Sequence, residues 1–170
     1  MDALYISGLG SPQISLNGQV VKIKRRKAVA LLVYLVVERR LQSREFLSGL
    51  FWPEYDQSSA YAYLRRTLWE INNTLGNGWL EVSREWIGIP LSANIRADVN
   101  QFQALLRGVQ AHNHPLEEPC EQCIDQLETA MRLYRGDFLE GFSLSDCPQF
   151  DDWHFFQSEL MRRMFQDAIQ

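Results

Sequence analysis

Long apolar runs are missing from these 170 residues. The longest, 28–37, falls well short of the ~18 residues that cross a bilayer, and it is bracketed by Lys27 and by Glu38-Arg39-Arg40. No signal peptide is visible at Met1. The expectation is a soluble, cytoplasmic protein with no membrane partner. Cysteine is scarce: Cys120, Cys123 and Cys147, an odd number that argues against a disulfide framework. Histidine is equally scarce, with His112, His114 and His154 too few and too unremarkably placed to suggest a catalytic triad. A Gly-rich phosphate loop and a nucleophile elbow are also lacking. No catalytic residues, and no enzyme, are therefore expected. What is abundant is apolar: 46% hydrophobic and 12% aromatic residues supply real cores and exclude a disordered chain. The length fits one large domain or two small ones.

The net charge of −4 argues at first against a nucleic-acid partner, but its distribution does not. Up to Ala97 there are 12 Lys+Arg against 8 Asp+Glu, net +4; from Asp98 onward there are 5 against 13, net −8. Such asymmetry between halves is a hint of a nucleic-acid-binding part joined to something else. The alternative is two domains that differ only in surface composition.

Short strands are expected over 3–7, 13–16 and 19–23, the last two joined by Asn17-Gly18, the strongest short hairpin signal. A helix over 26–39 carries Ala28, Leu31, Leu32, Leu35 and Val36 on one apolar face. Ser43 reads as the N-cap of a second helix through Phe51, with Phe46, Leu47 and Leu50 inward, stopped by Trp52-Pro53. A third helix is expected from a cap at Ser58 or Ser59 to Leu75, with Gly76 as its stop. Leu64, Leu68, Ile71 and Leu75 form its core-facing arc, opposite Ser59, Ala62, Arg66, Trp69 and Asn73, with Arg65 at the margin. The segments 79–83 and 86–90, joined by Arg84-Glu85, read as a hairpin. Beyond Ala97 strand signals vanish. Asp98 can cap a helix with Val99, Phe102, Leu105 and Leu106 on one face; 112–121 reads as a loop. Helical spacing resumes with Ile124, Leu127, Met131 and Tyr134, and a last amphipathic run uses Trp153, Phe156, Leu160 and Met164 or Phe165. No repeat of fixed period is visible, although paired helices would suit a helical-repeat array.

Arg26-Lys27-Ala28 with its Leu-rich helix, Leu50-Phe51-Trp52-Pro53, and Tyr63-Leu64-Arg65-Arg66-Thr67-Leu68 through Leu75-Gly76 resemble the OmpR/PhoB-type winged helix of SARP-type activators. Asp98-Val99 with Phe102, Leu133-Tyr134-Arg135-Gly136-Asp137-Phe138-Leu139, Gly141-Phe142 and Trp153 resemble the bacterial transcriptional activator domain that follows it. This resemblance implies an α+β chain: a winged helix-turn-helix over 1–97 (short strands, three helices, a hairpin wing), then the first part of an all-α, helical-repeat-like domain over 98–170. It implies sequence-specific duplex DNA binding in transcription regulation, with the helix over 59–75 in the major groove. RNA polymerase, other regulatory domains and a second copy on DNA are the partners that would fit. One departure stands out: Trp69-Glu70-Ile71-Asn72-Asn73 carries one acid and no base where such activators often have a basic run. That favours the alternative, a winged helix that has lost DNA contact and binds a protein partner through Trp69.

The candidate DNA-binding residues are Lys24, Arg25, Arg26, Lys27, Arg44, Ser59, Arg65, Arg66, Trp69, Asn73 and Arg84. Arg65 and Arg66 can reach guanine edges or phosphates, or lie on a solvated face with Arg66 paired to Glu70. The run Lys24-Arg25-Arg26-Lys27 puts positive charge at a helix start, against the helix dipole, and a DNA phosphate would compensate it; the alternative is an exposed basic loop. Arg44 and Arg84 are placed for backbone contacts, and Tyr134-Arg135-Gly136-Asp137-Phe138 for a structural turn through Gly136. Cofactors are otherwise absent, but His112, His114, Cys120 and Cys123 could supply four ligands to a structural zinc ion. A local disulfide and free thiols are the alternatives for the two cysteines.

Overall fold

Positive φ at both Asn17 (53°) and Gly18 (81°) closes the expected turn, joining β2 (Gln13–Leu16) to β3 (Gln19–Val21). β1 (Leu4–Ser7) pairs antiparallel with β2, Leu4 opposite Leu16 and Ile6 opposite Ile14. This is a computed structural model in which residues 1–115 and 117–170 are described. Leu116, within the segment expected as a loop, lies outside the described residues. The fourth strand of this sheet, β7 (Ile95–Ala97), was not expected from the sequence; it lies parallel to β1, in the order β3-β2-β1-β7. A second small sheet, also larger than the expected hairpin, has the order β4-β6-β5: β4 (Gln42–Ser43) pairs with β6 (Trp86–Gly88), which pairs with β5 (Glu81–Val82). Strands of two or three residues carry too little alternation to be seen in sequence.

Helix α1 (Arg26–Glu38) departs from the single apolar face expected of it. Ala28 and every residue from Ala30 to Val36 are buried, so it is covered on all sides. The second cover comes from the far end of the chain, where the Trp153 ring lies 4.8 Å from that of Tyr34 and its Nε1–H donates to Glu38 Oε1 at 2.7 Å. Arg39, in the left-handed region at φ 56°, ends the helix and donates to the Ile95 carbonyl at 2.8 Å. Helix α2 (Arg44–Phe51) starts as expected, with Ser43 Oγ accepting from Phe46 N. Leu47, Leu50 and Phe51 are buried, but Phe46 is 45% exposed rather than inward. Helix α3 runs over Gln57–Leu75, with Asp56 at the cap position instead of Ser58 or Ser59; a carboxylate there faces the positive end of the helix dipole. Its arc of Leu64, Leu68, Ile71 and Leu75 is buried as expected, with Thr67 added, its hydroxyl donating to the Tyr63 carbonyl.

Three further helices follow, α4 (Asp98–Ala111), α5 (Glu121–Leu133) and α6 (Pro148–Ala168). Asp98 is more than a cap. Its buried carboxylate accepts from Gly8 N at 2.7 Å, Leu9 N at 2.9 Å and Val99 N at 2.8 Å, tying α4 to the chain leaving β1. Burial pushes its pKa up, against the pull of those N–H groups and of Arg135. Asp98→Asn keeps one carbonyl acceptor and orphans a buried donor, an expected loss of about 1–3 kcal/mol; urea denaturation measures it, and an unchanged midpoint would refute it.

The segment after α5 is structural, as expected, but its turn differs. The positive φ values fall at Leu139 (53°) and Gly141 (75°), not at Gly136. Gly136 is small for another reason: a Cβ there would lie 3.3 Å from the Gly10 Cα. The segment docks on the chain after β1, with Leu139 N donating to Gly8 O at 2.7 Å and Gly10 N to Asp137 O at 3.0 Å. Arg162, 2.9 Å away, holds the Asp137 carboxyl below its ordinary pKa.

Two expected apolar faces are rotated. On α5, Cys123 and Ala130 are buried while Ile124 and Met131 are about 40% exposed. On α6, Phe150 and Met161 are buried while Phe156 is 64% exposed. His154, expected at the surface, packs against Phe138 and places Nε2 2.8 Å from its carbonyl oxygen. One apolar core contains Leu9, Phe51, Phe102, Phe138 and Phe150 together, so it runs across the Ala97–Asp98 junction. The architecture is α+β, and no helix among the described residues is long and apolar enough to cross a membrane.

Candidate nucleic-acid interface

With its apolar arc turned inward, α3 presents Arg65, Arg66, Trp69 and Asn73 to the exterior. Beside this face runs the chain that leaves β3, and the two enclose an open groove of about 900 Å³. Its walls are Lys22, Lys24 and Arg25 on one side and Arg65, Arg66, Trp69, Glu70, Asn73 and Thr74 on the other. Five cations thus face one carboxylate, an arrangement that concentrates positive potential in a concave site. Trp69, 64% exposed, places a large apolar surface among those cations.

Residues far apart in sequence meet here: six of the expected contacts (Lys24, Arg25, Arg65, Arg66, Trp69 and Asn73) line one groove. Lys22 was not singled out from the sequence. The signal was present, since Lys22 and Lys24 are two apart in an extended segment and so share a side.

The run Lys24-Arg25-Arg26-Lys27 divides. Arg25 forms an ion pair with Glu70 at 2.9 Å; Glu70 Oε2 is buried and accepts no well-aligned hydrogen bond. The acid therefore pairs with Arg25 and not with Arg66, because the chain before α1 lies against α3. Arg26 turns away from the groove: its Nε and a terminal nitrogen donate to the Ser143 carbonyl at 3.1 and 2.9 Å, and its guanidinium lies 4.7 Å from the Phe142 ring centre. Lys27 sits 5.5 Å from the Trp52 ring centre. Part of the charge at the α1 N-terminus is thus compensated within the protein.

Arg44, Ser59 and Arg84 do not line the groove. Arg44 Nε donates to the Ser83 carbonyl at 3.0 Å, fastening α2 to the β5–β6 hairpin, while Arg84 is exposed at the turn of that hairpin. Ser59 is half-buried in the first turn of α3.

The four candidate metal ligands converge at a separate place, between the end of α4 and the start of α5. Their ligand atoms all lie within 4.8 Å of one another. No disulfide joins Cys120, Cys123 or Cys147. The backbone N–H of Cys123, in the first turn of α5, lowers the pKa of the Cys120 thiol, whereas burial raises that of Cys123.

No family model and no curated protein matches the chain. Among solved structures it is similar to Mycobacterium tuberculosis EmbR, a SARP-family regulator, determined in complex with a low-affinity phosphopeptide. The TM-score is 0.74 at 21% sequence identity, over 99% of this chain and 46% of that one. The chain therefore spans less than half the length of that neighbour. At this identity the likeness is one of fold: the chain has the fold of the matching part of EmbR.

Proposed function

We propose that the chain binds duplex DNA as part of a transcription regulator. The observation that carries this is the groove in which Arg65, Arg66, Trp69 and Asn73 of α3 stand beside Lys22 and Lys24. In this reading 1–97 is the DNA-binding unit, a winged helix-turn-helix in which α2 and α3 form the helix-turn-helix. Helix α3 enters the major groove, where arginine can read guanine edges and Trp69 can cover a thymine methyl. Lys22 and Lys24 hold phosphates, and the β5–β6 hairpin is the wing, with Arg84 against the sugar-phosphate backbone. The acidic helices over 98–170 are the helical-repeat-like regulatory unit and the surface for RNA polymerase or other regulatory domains. A second copy would allow a two-fold operator.

The test is selection from random duplex DNA at low salt, followed by affinity against salt concentration. With Lys22, Lys24 and Arg84 on phosphates, the logarithm of the binding constant should fall with log salt at a slope of roughly −3. Failure to enrich any duplex, or a flat salt dependence, would remove the DNA role.

A second reading rests on two features of the same groove. Trp69 is exposed, and Glu70 neutralises Arg25. An aromatic anchor flanked by arginines also suits a protein partner. Under that reading Trp69→Ala abolishes capture of the partner while duplex binding is absent in the wild type.

A further inference from the structure

The histidine and cysteine cluster between α4 and α5 is independent of the groove. His112 directly follows α4, as its C-cap, and Cys120 is the N-cap of α5, with Cys123 in the first turn. Three nitrogen-to-sulfur distances define the cluster. His112 Nδ1 lies 3.2 Å from Cys123 Sγ and 3.2 Å from Cys120 Sγ, and His114 Nε2 lies 3.1 Å from Cys123 Sγ. The two imidazole rings stand edge to face, 5.0 Å apart at 87°.

We propose that His112 Nδ1, His114 Nε2, Cys120 Sγ and Cys123 Sγ bind one structural zinc ion that clamps the end of α4 to the start of α5. Tetrahedral zinc, with bonds of about 2.3 Å to sulfur and 2.0–2.1 Å to nitrogen, sets neighbouring ligand atoms roughly 3.3–3.8 Å apart. The four atoms here, all within 4.8 Å of one another, are already gathered on that scale.

Hydrogen bonding fixes the tautomer of one imidazole in the cluster. His114 Nδ1 lies 2.9 Å from the Pro115 carbonyl oxygen. A carbonyl only accepts, so the ring proton belongs on Nδ1 and Nε2 presents its lone pair inward. This is the outer hydrogen bond that metal-bound imidazoles characteristically make, and it sets the tautomer zinc requires. With the His112 proton on Nδ1, that N–H is shared between the two sulfurs while the Cys123 thiol donates to His114 Nε2, so the three contacts form one hydrogen-bonded cluster. Deprotonated, the same four atoms turn their lone pairs to a common centre, the arrangement a tetrahedral cation takes up.

The donor set selects the metal. Two thiolates and two imidazoles in tetrahedral array suit zinc and exclude magnesium and calcium, which take oxygen ligands. Four protein ligands close the coordination shell and leave no position for water or substrate, so the ion is structural. The packing of α4 on α5 gives it a purpose: a Cβ on Gly108 would lie 3.4 Å from the Gln126 side chain, so the helices approach closely. The described residues between them, around His112 and Cys120, are mostly exposed and polar, and do little to order the connection.

The full chain, purified without added metal, is expected to carry one zinc ion by plasma mass spectrometry. Metal-stripped protein given Co²⁺ alone should show thiolate-to-cobalt charge transfer and the visible bands of tetrahedral cobalt. Cys120→Ser and His114→Ala, at partly exposed positions, should each weaken metal binding by more than about tenfold, while Cys147→Ser leaves it intact. Should a ligand variant fail to fold, the wild-type cobalt spectrum decides. Folded wild type with neither zinc nor a cobalt–thiolate band would overturn the site, as would equal metal content in the Cys120→Ser, His114→Ala double variant. Neither readout involves DNA, so the clamp and the groove stand or fall separately.

Discussion

Replacing Arg65 and Arg66 together by alanine is expected to cost about 2–6 kcal/mol of duplex affinity, taking 1–3 kcal/mol for each arginine. That is roughly 30-fold to more than 10⁴-fold weaker binding. Both side chains are exposed, and the buried arc of α3 runs through Leu64, Leu68, Ile71 and Leu75. The circular dichroism spectrum and the melting temperature should therefore stay close to those of the wild type. Lys24→Ala should weaken all sequences about equally and reduce the salt slope by about 1, since it is assigned to phosphate and not to a base. Equal binding by wild type and the double variant at low salt would place the DNA elsewhere on the molecule. Arg26→Ala sharpens the comparison. Because Arg26 is committed to Ser143 and Phe142, it should affect stability more than affinity.

Phe150→Ala should lower stability by about 3–5 kcal/mol, the usual cost of emptying a phenyl-sized site in a packed core. Phe150 is fully buried on α6, with its ring 5.5 Å from that of Phe51 on α2 and 5.5 Å from Trp153. The informative part is which signals move. Charge and strand patterning suggest a boundary near 93–98 and an independently folding 1–97. The shared core around Phe51, Tyr34 and Phe150 instead predicts a single unfolding transition that shifts as a whole in the variant. For the same reason a chain ending at Ala97, which lacks Phe138, Phe150 and Trp153, should be less stable than the whole and expose apolar surface. A 1–97 chain with a sharp transition at the full-length midpoint would show that the units fold separately. In that case Phe150→Ala should leave signals from α1 to α3 untouched.

Several local features were legible because local physics decides them. Asn17-Gly18 specifies its turn through two positive φ values, and Ser43 caps α2 through one hydroxyl. The apolar arc of α3 follows from a period of 3.6 over five turns, and it leaves Arg65, Arg66, Trp69 and Asn73 outside. Other elements were illegible because their meaning depends on distant chain. β7 is three residues long and exists by pairing with β1 about ninety residues earlier. The single apolar face read on α1 was incomplete because its second cover, Trp153, lies more than a hundred residues away. Phe46 and Phe156 fit a helical period yet stand exposed, since period alone cannot choose between adjacent arcs.

What the amino-acid sequence determined by itself is the order of most elements, the α+β class, the charge difference between the halves, and the residue types available for a nucleic-acid face and a metal. Those properties are local or additive along the chain. Only the tertiary structure decided which residues act together. It sent Lys24 and Arg25 to the α3 groove and turned Arg26 and Lys27 toward Ser143 and Trp52. It gave Glu70 to Arg25 rather than Arg66, and it gathered His112, His114, Cys120 and Cys123 within 4.8 Å. The physical reason is that ion pairs, ligand shells and core contacts form between groups only a few ångströms apart. Proximity on that scale is set by how the whole chain packs, not by spacing along it.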